Sequence, residues 1–343
     1  MRFFSDNTAS GCPEVMDALM RVNQGRVKAY GDDEWTRALD RVLGEYFGRE
    51  VRAFAVVTGT AANSLSIATL SPPYGSVYAH ESAHIVRDEC GAPEFFSNGA
   101  RLVLVPGADG KITADALKAS IETYPTTAHT VQPVGLSLTQ ATEMGTSYQP
   151  EHIAALTEVA RRYKLKVHMD GARFANAVEF HGCSPADMTW RAGVDVLSLG
   201  ATKNGALAAE AVVFFDLSLV KDFELRRKRA GHLISKSRYV SAQLVAYVES
   251  GVCQRNAART NALAQKLGLA AGNSLKHPVE ANMLFLRLGN ARKQALRAAG
   301  FEFYDSGGEQ TGEIRLVVSW DQPEEEVDAL CRALLETRSL SPS

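Results

Sequence analysis

Apolar and polar positions alternate in blocks along this chain. Residues 13–22 and 33–48 carry apolar positions at helical spacing, separated by the polar turn Tyr30–Asp33. Arg52–Val57 is a short apolar run with β-branched residues and reads as a strand. Gly59-Thr60 closes it, and Ala61–Leu70 reads as a helix. The same reading places strands at Ser76–Ala79, Leu102–Val105, Val131–Leu138, Lys166–Met169, Val194–Ser198 and Ala211–Phe215. Helices fall at Ala114–Thr123 and Pro150–Tyr163. This alternation predicts an α/β unit around a mostly parallel sheet covered on both faces. A basic segment, Arg226–Lys236, and a long helical stretch towards residue 270 follow. Met283–Leu288 and Ile314–Val318 then read as strands and Glu324–Thr337 as a helix. The expected organisation is an N-terminal arm with a large domain, 1–249, and a small C-terminal α+β domain, 250–343.

Composition narrows the classes. The chain has 343 residues, 45% hydrophobic and 22% charged, ordinary for a soluble globular protein with a sizeable core. A formal net charge of −2 leaves no basic excess for a phosphate backbone, which argues against nucleic acid. Small molecules or copies of itself are the expected partners. No apolar run has the length of a membrane span, and MRFFSDNTASGCPEV lacks the apolar stretch of a signal peptide. Five scattered cysteines with no CxxC spacing read as free thiols, so a cytoplasmic location is expected.

Ligands in parallel sheets bind outside the carboxyl ends of the strands, so the residues after each strand carry the chemistry. Thr58-Gly-Thr-Ala-Ala-Asn63 offers a glycine, two hydroxyls and a helix N-terminus, which suits an anion as well as a simple cap. His80-Glu-Ser-Ala-His84 matches H-E-x-x-H, with Glu94 as a third zinc ligand, although His80 continues a strand and not a helix. A single histidine presenting its ring to a ligand is the better use. Asp170 follows the strand Lys166–Met169 and would be costly to bury unless it meets a cation, either Arg173 or a protonated ring nitrogen. One strand later, Lys203 sits in the small-residue turn Gly200–Gly205. One crossover separates the two, so both face one crevice. An amine, a carboxylate opposite it, a phosphate cradle and an aromatic ring to stack are the parts that hold pyridoxal 5'-phosphate. The lysine then forms a Schiff base.

With these residues in place, the sequence resembles the low-specificity L-threonine aldolases. These are pyridoxal-phosphate enzymes of fold type I within the beta-eliminating lyase superfamily. Thr58–Asn63, Ala83-His84, His168-Met-Asp-Gly-Ala-Arg173 and Gly200–Gly205 carry the resemblance, which runs from Ser5-Asp6 to Glu313–Val318. It implies a large, mostly parallel seven-stranded sheet domain and a small C-terminal domain. It also implies cleavage of threonine, allo-threonine or related β-hydroxy-α-amino acids to glycine and an aldehyde. By the same resemblance Lys203 bonds the cofactor. His84 stacks on its ring and acts as the base or positions it. Gly59 and Thr60 hold the phosphate, and Asp170 pairs with the ring nitrogen. Ser5, Arg173 and Arg315 hold the substrate carboxylate. A homodimer or homotetramer with shared sites follows, with Lys236 or Arg238 reaching a neighbour's phosphate.

The sequence departs from that pattern twice. Many members have Thr-His-Asn after the middle strand; here Thr142 and Glu143 occupy that stretch. The base is therefore His84, a water or Glu143. The Ala-Thr-Lys-Asn-Gly loop resembles a subgroup that includes phenylserine aldolases. A β-eliminating lyase or an amino-acid racemase shares the same cradle and lysine. From other classes, a zinc hydrolase built on His80 and His84 and a non-catalytic interaction protein remain as rivals.

Overall fold

The computed structural model describes residues 1–123 and 125–340, so the last three residues of the expected 250–343 unit lie outside the described part. Local chemistry sets the first helices. α1 (Pro13–Val22) has Pro13 at its first position, where the missing N–H has no partner to lose. α2 (Glu34–Phe47) starts on the Asp33 carboxylate, which accepts from Thr36 N, and stops at Gly48 in the left-handed region. The chain then passes through β1 (Arg52–Val56), α3 (Gly59–Leu70), β2 (Gly75–His80), the short α4 (His84–Arg87) and α5 (Ala92–Phe96), and β3 (Arg101–Val105). Next come α6 (Ala114–Glu122), β4 (Gln132–Thr139), α7 (Pro150–Arg162), β5 (Lys166–Gly171), α8 (Phe174–His181), β6 (Val196–Gly200) and β7 (Glu210–Phe214).

These seven strands form one sheet in the order β1-β7-β6-β5-β4-β2-β3. Strands β2 to β6 pair in parallel, whereas β7 runs antiparallel to both β6 and β1. The expected mostly parallel sheet is therefore present. β2, β6 and β7 are buried at every residue, as strands covered on both faces must be. α3 reads GTAANSLSIATL, with no charge, and is buried on nearly all sides against this sheet. It begins two residues before the expected Ala61, at Gly59. β5 runs on past Met169, so Asp170 lies inside the ladder, opposite Thr139 on β4 and Ser198 on β6.

After β7 the chain is helical: α9 (Phe223–Arg229), α10 (Arg238–Glu249) and α11 (Val252–Ala271). β8 (Met283–Arg287), α12 (Asn290–Ala298), β9 (Tyr304–Asp305), β10 (Glu313–Val317) and α13 (Glu324–Glu336) complete the chain. The last three strands make a second, antiparallel sheet in the order β8-β10-β9. Its core of Leu263, Leu267, Leu284, Ile314 and Leu330 also contains Phe3 from the opposite end of the chain. Phe3 N donates to Glu302 O at 2.8 Å, and Val317 N donates to Phe3 O at 3.1 Å. Among the described residues no helix is long and apolar enough to cross a membrane.

Candidate active site

Neighbouring parallel strands deliver Asp170 and Lys203 to one cavity. Their ends approach closely because residue 200 is glycine: a Cβ there would lie 2.7 Å from Ala172 O. Lys203 rides in a single 3-10 turn, Thr202–Asn204, that ends at Gly205 with φ +119. The turn is pinned on several sides. Asn204 Nδ2 donates to Tyr247 Oη at 2.7 Å and to Cys253 O at 2.9 Å, and Asn256 Nδ2 donates to Asn204 O at 3.0 Å. Ala201 N donates to Glu210 Oε2 at 3.2 Å. Backbone and neighbours are thus fixed, while Lys203 itself lines a cavity of about 330 Å³. Gly59, Thr60, His84, Glu143 and Asp170 line the same cavity.

The cradle at Gly59-Thr60 is the first turn of α3. Thr58 caps it, its hydroxyl accepting from Ala61 N at 3.1 Å. One turn into that helix, Asn63 Nδ2 donates at 2.8 Å both to Asp170 Oδ2 and to Glu89 Oε1. Glu89 Oε1 in turn meets His84 Nδ1 at 2.8 Å. Ala172 N donates to Asp170 Oδ1 at 3.0 Å. A continuous chain of hydrogen bonds therefore joins Asp170 to His84. Beneath Asp170, two residues back on the same strand face, His168 is fully buried between Ser137 Oγ and Ser198 Oγ, each at 2.9 Å.

Electrostatics follow burial. The Glu89 hydrogen bond raises the His84 imidazole above its ordinary value, against burial. Burial raises the Glu89 carboxyl. It also pushes Glu143 and Glu210 up to about 7 and drives His168 down to about 4, so that ring is neutral. Burial pushes the Asp6 carboxyl upward too, but the charges of Arg173 and Lys203 outweigh it and hold Asp6 below the usual range.

The expected substrate clamp is arranged in a way the sequence does not foresee. Arg173 lines the cavity, yet its partner is Asp6, with Nε to Oδ2 at 2.8 Å and Nη2 to Oδ1 at 2.9 Å. The simple Asp170–Arg173 ion pair weighed for this loop is therefore absent. Ser5 Oγ accepts from Asn7 N at 3.2 Å and caps the turn Asp6–Thr8, and Asn7 is the residue of that turn on the cavity wall. Arg315 Nη2 donates to Phe4 O at 3.3 Å, and its buried Nε has no partner among the described residues. Lys236 and Arg238 lie elsewhere, in a groove with Arg26 and Lys28. His80 does not face the cavity as a ligand-presenting histidine: Nδ1 meets Ser82 Oγ at 2.7 Å and Nε2 meets Gly107 O at 3.0 Å. The zinc reading fails on the same geometry. Both His80 nitrogens and His84 Nδ1 are occupied, and no metal-holding group of three His, Cys, Asp or Glu side chains occurs among the described residues.

Asn63, Glu89, Asp6 and Glu210 are the site residues that sequence reasoning misses. Asn63 has a signal, since it lies four positions after Gly59 and so shares its helix face. Glu89 has none; only the fold brings it under His84.

The donor set suits pyridoxal phosphate. It combines an amine, a carboxylate anchored by two N–H donors, an imidazole, and a helix N-terminus whose Gly59 has open space where a side chain would stand. Two curated relatives agree over nearly the whole chain. The low specificity L-threonine aldolase of Pseudomonas aeruginosa is 43% identical over 96% of both chains. That of a Pseudomonas species is 43% identical over 96% of this chain and 95% of its own. Among solved structures, a threonine aldolase of Leishmania major superposes with a TM-score of 0.91 at 25% identity, covering 98% of each chain. A serine palmitoyltransferase of Sphingomonas wittichii shares the fold alone, with a TM-score of 0.72 at 16% identity over 99% of this chain and 87% of its own. Fold and cavity together define a fold type I enzyme whose pocket accepts pyridoxal phosphate. Residues 2–289 match the beta-eliminating lyase family; the chain belongs to it, and within it to the low-specificity L-threonine aldolases.

Proposed function

We propose that this protein is a pyridoxal-phosphate-dependent lyase that cleaves L-threonine, L-allo-threonine or a related β-hydroxy-α-amino acid such as phenylserine to glycine and an aldehyde. The observation that carries this is the convergence of Lys203 and Asp170 on one cavity from adjacent parallel strand ends. Bound there, pyridoxal phosphate supplies an electron sink for the pair released from Cα. Each residue then has a task. Lys203 contributes the amine for covalent attachment. Asp170, oriented by Asn63 and Ala172 N, holds a proton at the ring nitrogen. His84, fixed by Glu89, would offer its ring for stacking on the cofactor. Gly59 and Thr60 offer free N–H groups to the phosphate at the positive end of α3. Arg173 and Arg315, with Ser5, would hold the substrate carboxylate and so orient the amino acid for cleavage. In this scheme the Asp6 pair keeps Arg173 aligned until the substrate arrives.

Several coarser features complete the reading: a division at about residue 250, a homodimer or homotetramer with shared sites, Lys236 or Arg238 serving the neighbour's phosphate, and a cytoplasmic location. The test is direct. Wild-type protein is expected to purify with the visible absorption of lysine-bound cofactor and to yield glycine and acetaldehyde from threonine. K203A is expected to lose both the absorption and at least about a thousandfold of turnover. Normal rates in K203A would remove the assignment, and ammonia with a keto acid as products would replace it by β-elimination.

A further inference from the structure

The scheme above leaves one proton without a destination, that of the substrate's β-hydroxyl. We propose that Glu143 is the catalytic residue that accepts it, an inference that rests on the retro-aldol reading above. Geometry carries it. Glu143 lines the cavity together with His84, Asp170 and Lys203. Its Oε1 is engaged, accepting from His84 N at 2.5 Å. Its Oε2 is buried and has no partner among the described residues. A buried carboxylate oxygen without a donor is costly, and a ligand that brings an O–H resolves it. The nearby imidazole is less suited: His84 Nδ1 is committed to Glu89, and that contact favours the protonated ring, which has no lone pair to offer.

The turn that carries Glu143 is held by its own hydrogen bonds and by the C-terminal part of the chain. Thr142 N donates to Thr146 O at 2.8 Å, and their hydroxyls meet at 2.7 Å. From the C-terminal part, Glu280 N donates to Gly145 O at 2.9 Å and Glu280 Oε2 accepts from Ser147 N at 2.7 Å. A Cβ at Gly145 would lie 2.4 Å from Met283 O. The carboxylate is thus preorganised, as proton transfer in a fixed geometry requires.

In the step, the O–H bond breaks and its proton goes to the Glu143 carboxylate. The oxygen's electron pair becomes the aldehyde C=O, and the Cα–Cβ bond breaks with its pair left towards Cα. Cα then takes up one proton from solvent water and Glu143 returns its proton to solvent, so the equation closes on glycine and aldehyde. Burial, followed by the nearby Asp170 charge, lifts the Glu143 carboxyl to about 7, so both forms are present at neutral pH. The ionisable groups that share its cavity are His84 on α4, Asp170 on β5, Arg173 before α8, Lys203 after β6 and Glu210 on β7.

Wild-type, E143Q and E143D holoenzymes are compared with threonine and, separately, for exchange of the glycine α-proton in D2O, a reaction that has no β-hydroxyl. E143Q is expected to keep the cofactor absorption and to exchange glycine within about fivefold of wild type. It should lose about 10²–10⁴-fold in kcat for cleavage with little change in KM. E143D recovers part of the loss. Infrared titration of cofactor-free protein is expected to show two carboxyls titrating near neutrality in wild type, Glu143 and Glu210, and one of them lost in E143Q. Cleavage by E143Q within about tenfold of wild type overturns the proposal, as does glycine exchange falling as far as cleavage. A near-neutral carboxyl titration that is the same in wild type and E143Q overturns it as well. Wild type that forms no glycine and aldehyde overturns the functional reading as well, so the two failures are distinct.

Discussion

Glu210 shows at the scale of a single side chain how the site trades stability for chemistry. It is nearly fully buried beside the lysine turn, and burial pushes its carboxyl up to about 7. The folded protein therefore binds this proton more tightly than the unfolded chain, whose carboxyl keeps the ordinary value of 4.5. Between those two values the native state holds more protons, so stability is full below about 4.5 and falls as pH rises through about 7. A rise from 4.5 to about 7 corresponds to a loss on the order of 3 kcal/mol. Melting temperatures of cofactor-free protein are expected to fall across this window, and E210Q is expected to flatten the fall. A profile that is identical in wild type and E210Q would show that Glu210 does not carry it.

At the scale of elements, the close approach of β5 and β6 sets the distance between Asp170 and Lys203 across the cavity. Gly200 permits it, because a Cβ would press on the Ala172 backbone: O at 2.7 Å, Cα at 2.8 Å and C at 2.9 Å. Backbone cannot swing aside as a flexible side chain does. G200A is expected to cost about 1–3 kcal/mol in urea unfolding and to weaken cofactor retention at least about tenfold, read by titration of the cofactor-free protein. Retention equal to wild type would mean that the strand ends tolerate the wider spacing. Most of this element layer is legible in the sequence, since buried parallel strands read as apolar runs and their terminal residues follow directly. The sharing of one cavity by Asp170 and Lys203 is legible that way. The bonds of Asn63 to Glu89 and Asp170 are not, because they depend on strand order, and Asp6 is not, because it reaches Arg173 from the N-terminal turn. β2 lies beside β4 and not beside β1, which sets α3 and the loop after β2 against Asp170. The antiparallel run of β7 has no sequence signal either, as a fully buried strand looks the same in both directions.

At the scale of the whole molecule, the two ends of the chain build one structure. Phe3 is 0% exposed within the C-terminal core, so F3A is expected to lower stability by about 3–5 kcal/mol in urea unfolding, with the C-terminal sheet the first part to lose amide-exchange protection. A change under about 1 kcal/mol would mean the core closes over the gap. Around Phe3, the opening residues meet the late ones repeatedly. Arg2 bridges to Glu302, Asp6 accepts from Asn282 Nδ2 at 3.0 Å, and Trp320 Nε1 donates to Ser10 O at 2.8 Å. A ribosome emits residues 1–10 long before it emits 282–320. Asp6, which clasps Arg173, is itself held by Asn282, so the complete clasp needs a residue made more than a hundred positions after Arg173.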